Sequence, residues 1–160
     1  MTEAFPDHKF IGEEGIGAET EGKLPLSALT NNPTWIIDPI DGTMNFVHGN
    51  PLVVTSVGLA INKKLVLGII NAPCIDKCYT AVKGKGAFLN DDQKLSVTAV
   101  KELKDAFCVM EVAAGANQEK QDICLANMTS LMGKAHAVRC FGRCLFGDCF
   151  RINLNAMPRR

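Results

Sequence analysis

Short apolar runs of strand character dominate the first hundred positions, and a helical period appears once, near residue 120. HKFIGEE reads as a short strand closing on Glu13 and Glu14. GIGAETEGKLPLSALTNNP follows as a polar loop bearing glycine and proline, too long for a tight turn. The unbroken apolar character of TWIID predicts a second strand, buried on both faces. PLVVTSVGLAI and KLVLGIINA, joined by NKK, have the pattern of an antiparallel hairpin. CYTAV and GAFLNDDQKLSV extend this meander, with a turn at Asn90, Asp91 and Asp92. FCVMEV is a further candidate strand.

NQEKQDICLANMTSLMG is the clearest helix, with Asn117 as its N-cap and Gly133 as its stop. Cys124, Met128 and Leu131 share one face, with Leu125 and Met132 beside them, so packing is the expected role of these methionines. Beyond Gly133, KAHAVRCFGRCLFGDCFRINLNAMPRR shows no clean period, with cysteine, phenylalanine and arginine interleaved.

The 160 residues are enough for one domain with a core. Seventeen basic and seventeen acidic residues balance, which argues against a nucleic-acid surface. No run reaches the roughly 18 apolar residues that a membrane span needs. The N-terminal residues lack the pattern of a secretory signal, and seven cysteines form an odd set better suited to free thiols, so a cytoplasmic setting is expected.

The chemistry concentrates in WIIDPIDGTMNF. Asp38 closes an apolar strand, and Pro39 is expected to force an extended turn that aims the Ile40 carbonyl and Asp41 back toward Asp38. Oxygen donors on a rigid strand end suit a hard cation such as Mg²⁺. Gly42 permits close backbone approach, and TMNFVH reads as a helix start whose N–H groups favour phosphate. Asp38, Ile40 and Asp41 are therefore candidate metal ligands, and Gly42 and Thr43 candidate phosphate holders. Glu13 or Glu14 is a candidate base for an attacking water. A D-P-x-D-G string standing alone is also an ordinary turn and helix cap.

FIGEE, followed by PTWIIDPIDGTMNFVHGNPLVVTSVGLAINKKLVLGIINAP and CYTAVKGKGAFLND, closely resembles the inositol monophosphatase family, whose signatures are a GEE strand end and W-I-x-D-P-x-D-G-T-x-N-F. The resemblance implies Mg²⁺-dependent, lithium-sensitive hydrolysis of inositol monophosphates by a metal-activated water, and a place in inositol metabolism and phosphatidylinositol signalling. It also implies a homodimer and a layered α/β fold related to the sugar bisphosphatases. Carried over by motif, Glu13, Asp38, Ile40 and Asp41 are metal ligands, with Asp38 shared between two ions. Glu13 and Thr43 position the water as catalytic residues, and Ile40, Asp41, Gly42 and Thr43 meet the substrate.

The chain departs from the family pattern in three ways. Met44 stands where a second threonine is usual. The N-terminal helices of family members are absent, as is the later W-D motif that supplies a further second-metal ligand. A truncated form of the fold is therefore expected, with a mixed, mostly antiparallel sheet and at least one flanking helix. Its expected organisation is a partial domain over 1–139 and a divergent, poorly ordered tail over 140–160. Two other functions stay open: a catalytically silent fragment that binds partners, or a phosphatase acting on a sugar bisphosphate or a nucleotide 3′-phosphate.

Overall fold

A computed structural model describes residues 3–12, 29–111 and 117–142. The chain divides into two units, Met1–Leu95 and Ser96–Arg160. The first holds a seven-stranded sheet whose strands lie side by side in chain order. β1 (Lys9–Gly12) pairs in parallel with β2 (Thr34–Asp41) at one edge. β3 (Val54–Ile61), β4 (Lys64–Ala72), β5 (Lys77–Val82), β6 (Gly86–Leu89) and β7 (Gln93–Lys94) follow, each antiparallel to the one before. The sheet is thus mixed and mostly antiparallel, as the apolar runs predict.

Its tight turns come from residues that tolerate positive φ. Asn62 and Lys63, at φ of 50° and 61°, join β3 to β4 across two residues, and Asn90 and Asp91, at 49° and 68°, turn β6 into β7. This conformation at both central positions matches the right-handed twist of the flanking strands. Asn90 also ties the turn to β5: its Oδ1 accepts from the Cys78 N–H at 2.8 Å, and its Nδ2 donates to the Asp76 carbonyl at 3.1 Å. The KGKG segment forms the turn between β5 and β6.

Trp35, Val53, Val54, Ala60, Ala72, Tyr79 and Leu89 are the buried apolar residues of this unit. Thr34 is buried with them, and its hydroxyl donates to the Asn32 carbonyl at 3.0 Å. β2 departs from the expected burial on both faces, because Ile36, Ile37 and Asp38 are only half-buried. Ile36 and Asp38 border a groove of about 470 Å³ on one sheet face. Small Ser56, Gly58 and Gly68 contribute to that groove, and Leu65, Ile70 and Tyr79 supply bulk.

In the second unit, β8 (Phe107–Met110) precedes α2 (Gln118–Leu131), and β9 (Ala137–Cys140) then pairs in parallel with β8. Asn117 caps α2 as expected, its side chain accepting from the Lys120 N–H at 3.1 Å. Gly133, at φ 75°, turns the chain after the helix. Cys124, Met128 and Leu131 are half-buried along the expected face, whereas Leu125 and Met132 are 61% and 67% exposed and do not join it. β9 was not expected: AVRC is four residues long and does not alternate. Cys140 is its last residue, and the rest of the expected tail from 143 onward lies outside the described residues.

Candidate active site

Two carboxylates three positions apart on a regular strand leave from opposite faces, because the side-chain period of a strand is two. β2 solves this with an irregularity rather than the expected turn. Asp38 pairs with Ser56 and Asp41 with Val54, so three steps along β2 match two along β3. The extra residue is a bulge, and it places both aspartates opposite residues that share one face of β3. A bulge also accommodates Pro39, which has no N–H to give a ladder.

Hydrogen bonds from three directions fix the bulge. The Ile40 N–H donates to Asp38 Oδ1 at 3.1 Å. From β3, the Thr55 hydroxyl donates to the Pro39 carbonyl at 2.9 Å. The Thr43 hydroxyl returns to the Ile40 carbonyl at 3.3 Å. Asp38 and Asp41 are half-buried, and Ile40 and Thr43 are exposed, so the group opens to solvent. Thr55 lay outside the sequence motif; only its place opposite the D-P-x-D segment in an antiparallel neighbour could have pointed to it.

Gly42 makes the corner. It is buried and left-handed, with φ 92° and ψ 39°, and it is the N-cap of the five-residue helix α1 (Thr43–Val47). Such a backbone costs an L-residue with a side chain roughly 1–2 kcal/mol, which explains glycine here. The Gly42 carbonyl accepts from the Phe46 N–H at 3.0 Å. Asn45 anchors the other side of α1, its Nδ2 donating to the Leu52 carbonyl at 2.8 Å. Met44, at the position where the motif usually has threonine, is 68% exposed.

Glu13 and Glu14 lie outside the described residues. The described part of β1 ends at Gly12, which pairs with Ile37, the residue before Asp38. Among the described residues no group of three or more histidine, cysteine or acidic side chains is gathered as for a metal ion. The carboxylates here are the Asp38–Asp41 pair, with the Ile40 carbonyl between them in sequence. This donor set is all oxygen, which fits a hard divalent cation and not a thiolate-preferring one. No described helix is long and apolar enough to cross a membrane.

Residues 1–149 match the inositol monophosphatase family. Inositol monophosphatase 1 of Sus scrofa is 43% identical over 151 residues, which cover 94% of this chain and 52% of that protein. Among solved structures, the extragenic suppressor protein suhB of Bartonella henselae superimposes with a TM-score of 0.77 at 28% identity, over 94% of this chain and 55% of its own. SaIMPase-II, solved with inositol monophosphate bound, gives a TM-score of 0.67 at 26% identity, over 88% of this chain and 50% of its own. The chain therefore spans about half the length of the curated relatives it matches. The motif, the mixed sheet that carries it and these likenesses agree: the chain belongs to the inositol monophosphatase family.

Proposed function

We propose that this chain carries the metal- and phosphate-handling half of a phosphatase acting on inositol monophosphate. The observation that carries the reading is the β2 bulge, which turns Asp38 and Asp41 to one face while Gly42 leads directly into Thr43. Asp38, Asp41, the Ile40 carbonyl and Glu13 would hold Mg²⁺. Glu13 is included on the family motif, in which it directly follows Gly12. When bound, Mg²⁺ supplies a Lewis acid that lowers the pKa of water and neutralises charge on phosphate oxygens.

The chain's own residues have separate roles in this reading. Glu13 and Thr43 orient the attacking water, and Glu13 accepts its proton. The backbone N–H groups of Gly42 and Thr43 receive phosphate oxygens at the start of α1, where helical amides lack intrahelical partners. The half-buried Asp38 is held by its bond from Ile40, so its orientation is set before a ligand arrives. Inositol monophosphate as substrate is supported by the family and by the relative solved with that compound bound. Lithium sensitivity, homodimer formation and a cytoplasmic setting belong to the same proposal.

A second reading is a catalytically silent scaffold of the same fold. Calorimetric Mg²⁺ titration separates a metal site from none: Asp38→Asn keeps an oxygen to accept from Ile40 but removes the charge. Identical titrations for the two proteins would remove the proposed site. Phosphate release from inositol 1-phosphate, with Asp41→Asn as blank, then separates enzyme from scaffold. Release above that blank supports the enzyme; Mg²⁺ binding without release supports the scaffold.

A further inference from the structure

Among the described residues β1 is an edge strand of the seven-stranded sheet, with β2 as its strand partner. Over the described residues its ladder with β2 runs from Lys9↔Thr34 to Gly12↔Ile37, and the Lys9 N–H also reaches the Pro33 carbonyl at 2.9 Å. A parallel ladder is slightly less stable per residue than an antiparallel one. A side-chain clasp reinforces its entrance: Trp35 Nε1–H donates to His8 Nδ1 at 2.9 Å. Trp35 is 8% exposed and His8 half-buried. Phe5 stacks on the imidazole at 4.9 Å between centroids and lies 5.5 Å from the indole, while the His8 N–H closes a turn onto the Phe5 carbonyl.

The direction of that bond has a chemical consequence. An indole nitrogen only donates, so His8 Nδ1 must offer its lone pair and the ring must be neutral there. An imidazolium carries hydrogen on both nitrogens and has nothing to accept with. Histidine is also the side chain that ordinarily changes charge between about pH 5 and 8. Protonation sets two N–H groups against each other and leaves a nearly buried indole N–H without its acceptor. The Phe5 contact does not oppose protonation, since an aromatic face attracts a cation. Among the described contacts of His8, the bond from Trp35 is the one that protonation breaks.

The charged groups at this end of the sheet are few among the described residues. Asp7 and Lys9 flank His8, and Glu3 precedes Phe5. The described part of β2 beside the clasp, Thr34–Ile37, has no titratable side chain, and Leu59 stands opposite Trp35 on β3. Lys63 and Lys64 lie at the β3–β4 turn, which meets the segment before β2 through the Asn62 N–H and the Asn31 carbonyl at 3.3 Å. No arginine or second histidine lies next to His8 in sequence or on β2 or β3 to titrate in its place.

We infer that His8 is a positioning residue which pins the edge strand β1 onto β2 through Trp35 only while it is uncharged, making the seating of β1 proton-sensitive. This inference does not depend on the proposed activity.

Trp35 is the sole tryptophan, so its emission reports the clasp directly. Titrating the full chain from about pH 8 to about pH 5 spans the ordinary histidine range. The expected result is one step in Trp35 emission, retained in His48→Asn and His136→Asn and absent in His8→Asn, whose amide oxygen accepts from indole without titrating. Hydrogen exchange, corrected for the intrinsic pH dependence of amide rates, provides the second readout. Protection of Phe10 and Ile11 relative to β3 should fall about five- to tenfold over the same range, as expected for one hydrogen bond lost. In His8→Asn it should stay constant. A wild-type emission unchanged with pH, a step that survives His8→Asn, or β1 protection that does not follow pH would each overturn the inference.

Discussion

Replacing Gly42 with alanine tests whether the corner between the aspartates and α1 is set by backbone conformation. The residue sits at φ 92° and ψ 39°, beyond the centre of the left-handed region near +57°. An L-residue there costs roughly 1–2 kcal/mol. The opposing gain from a less flexible unfolded chain is about 0.4–1 kcal/mol, so conformation alone gives a net loss of up to about 1.5 kcal/mol. Gly42 is also buried, and forcing a methyl into a packed position typically adds about 1–3 kcal/mol. The expected total is about 1–4.5 kcal/mol. Gly49→Ala is the matched control: φ is 67°, the residue is exposed, and nothing lies within 4 Å of an added Cβ. Urea unfolding followed by Trp35 emission measures both variants. Gly42→Ala should lose at least 1 kcal/mol more than Gly49→Ala, on the order of the overpacking cost. Equal midpoints would refute the reasoning, since they would mean that neither burial nor the larger φ matters at this corner.

Thr55→Val keeps shape but removes the bond to the Pro39 carbonyl; stability should fall by about 0.5–1.5 kcal/mol and Mg²⁺ affinity with it. Unchanged unfolding and unchanged calorimetric titration would show that the bulge does not need this anchor. Burial, with a smaller contribution from the Asp91 charge, pushes the Cys78 thiol above the ordinary range, so iodoacetamide should label it more slowly than the exposed Cys74 and Cys140 at mildly alkaline pH. Its raised folded-state value means that the associated stability is present below the unfolded thiol's pKa and is lost as pH rises through the folded one. Peptide mapping of the labelled protein checks the order, and equal rates would contradict it. Asn117→Ala should cost about 0.5–2 kcal/mol of α2 stability, read as lost amide protection at the start of that helix, and intact protection there would rule out the cap.

The meander and its turns were legible because strands with period two and residues that accept positive φ both leave local marks. Asn90 and its neighbours announce a turn by composition, although the bonds by which Asn90 also grips β5 depend on a pairing that no local window contains. The second unit shows the opposite case. β9 is invisible in AVRC, yet a candidate strand at FCVM followed by a well-capped helix is two-thirds of a β–α–β unit, whose completion is a short strand parallel to the first. The missing signal lay in the order of elements. Helix α2 was found by its period, but that period overstated its apolar face, because Leu125 and Met132 remain exposed while Cys124, Met128 and Leu131 are half-covered.

The aspartates make the same point at the scale of the site. D-x-x-D on a strand contradicts the strand's own period, so one of three readings must fail: the strand, the shared face or the regular register. Judged by sequence, Pro39 ends the strand and makes a turn. The structure keeps the strand to Asp41 and gives up the register, inserting one residue against β3. Proline is consistent with either solution, since it ends ladders at turns and is tolerated at bulges. The distinction affects function. A turn would leave the second carboxylate on a segment free to move, whereas a bulge bonded from β3 through Thr55, from within through Asp38 and from α1 through Thr43 holds both donors against the sheet. A cation site built on such a frame loses little ordering entropy when it fills, so its affinity should follow the charges of Asp38 and Asp41 more closely than the length or composition of the surrounding loops.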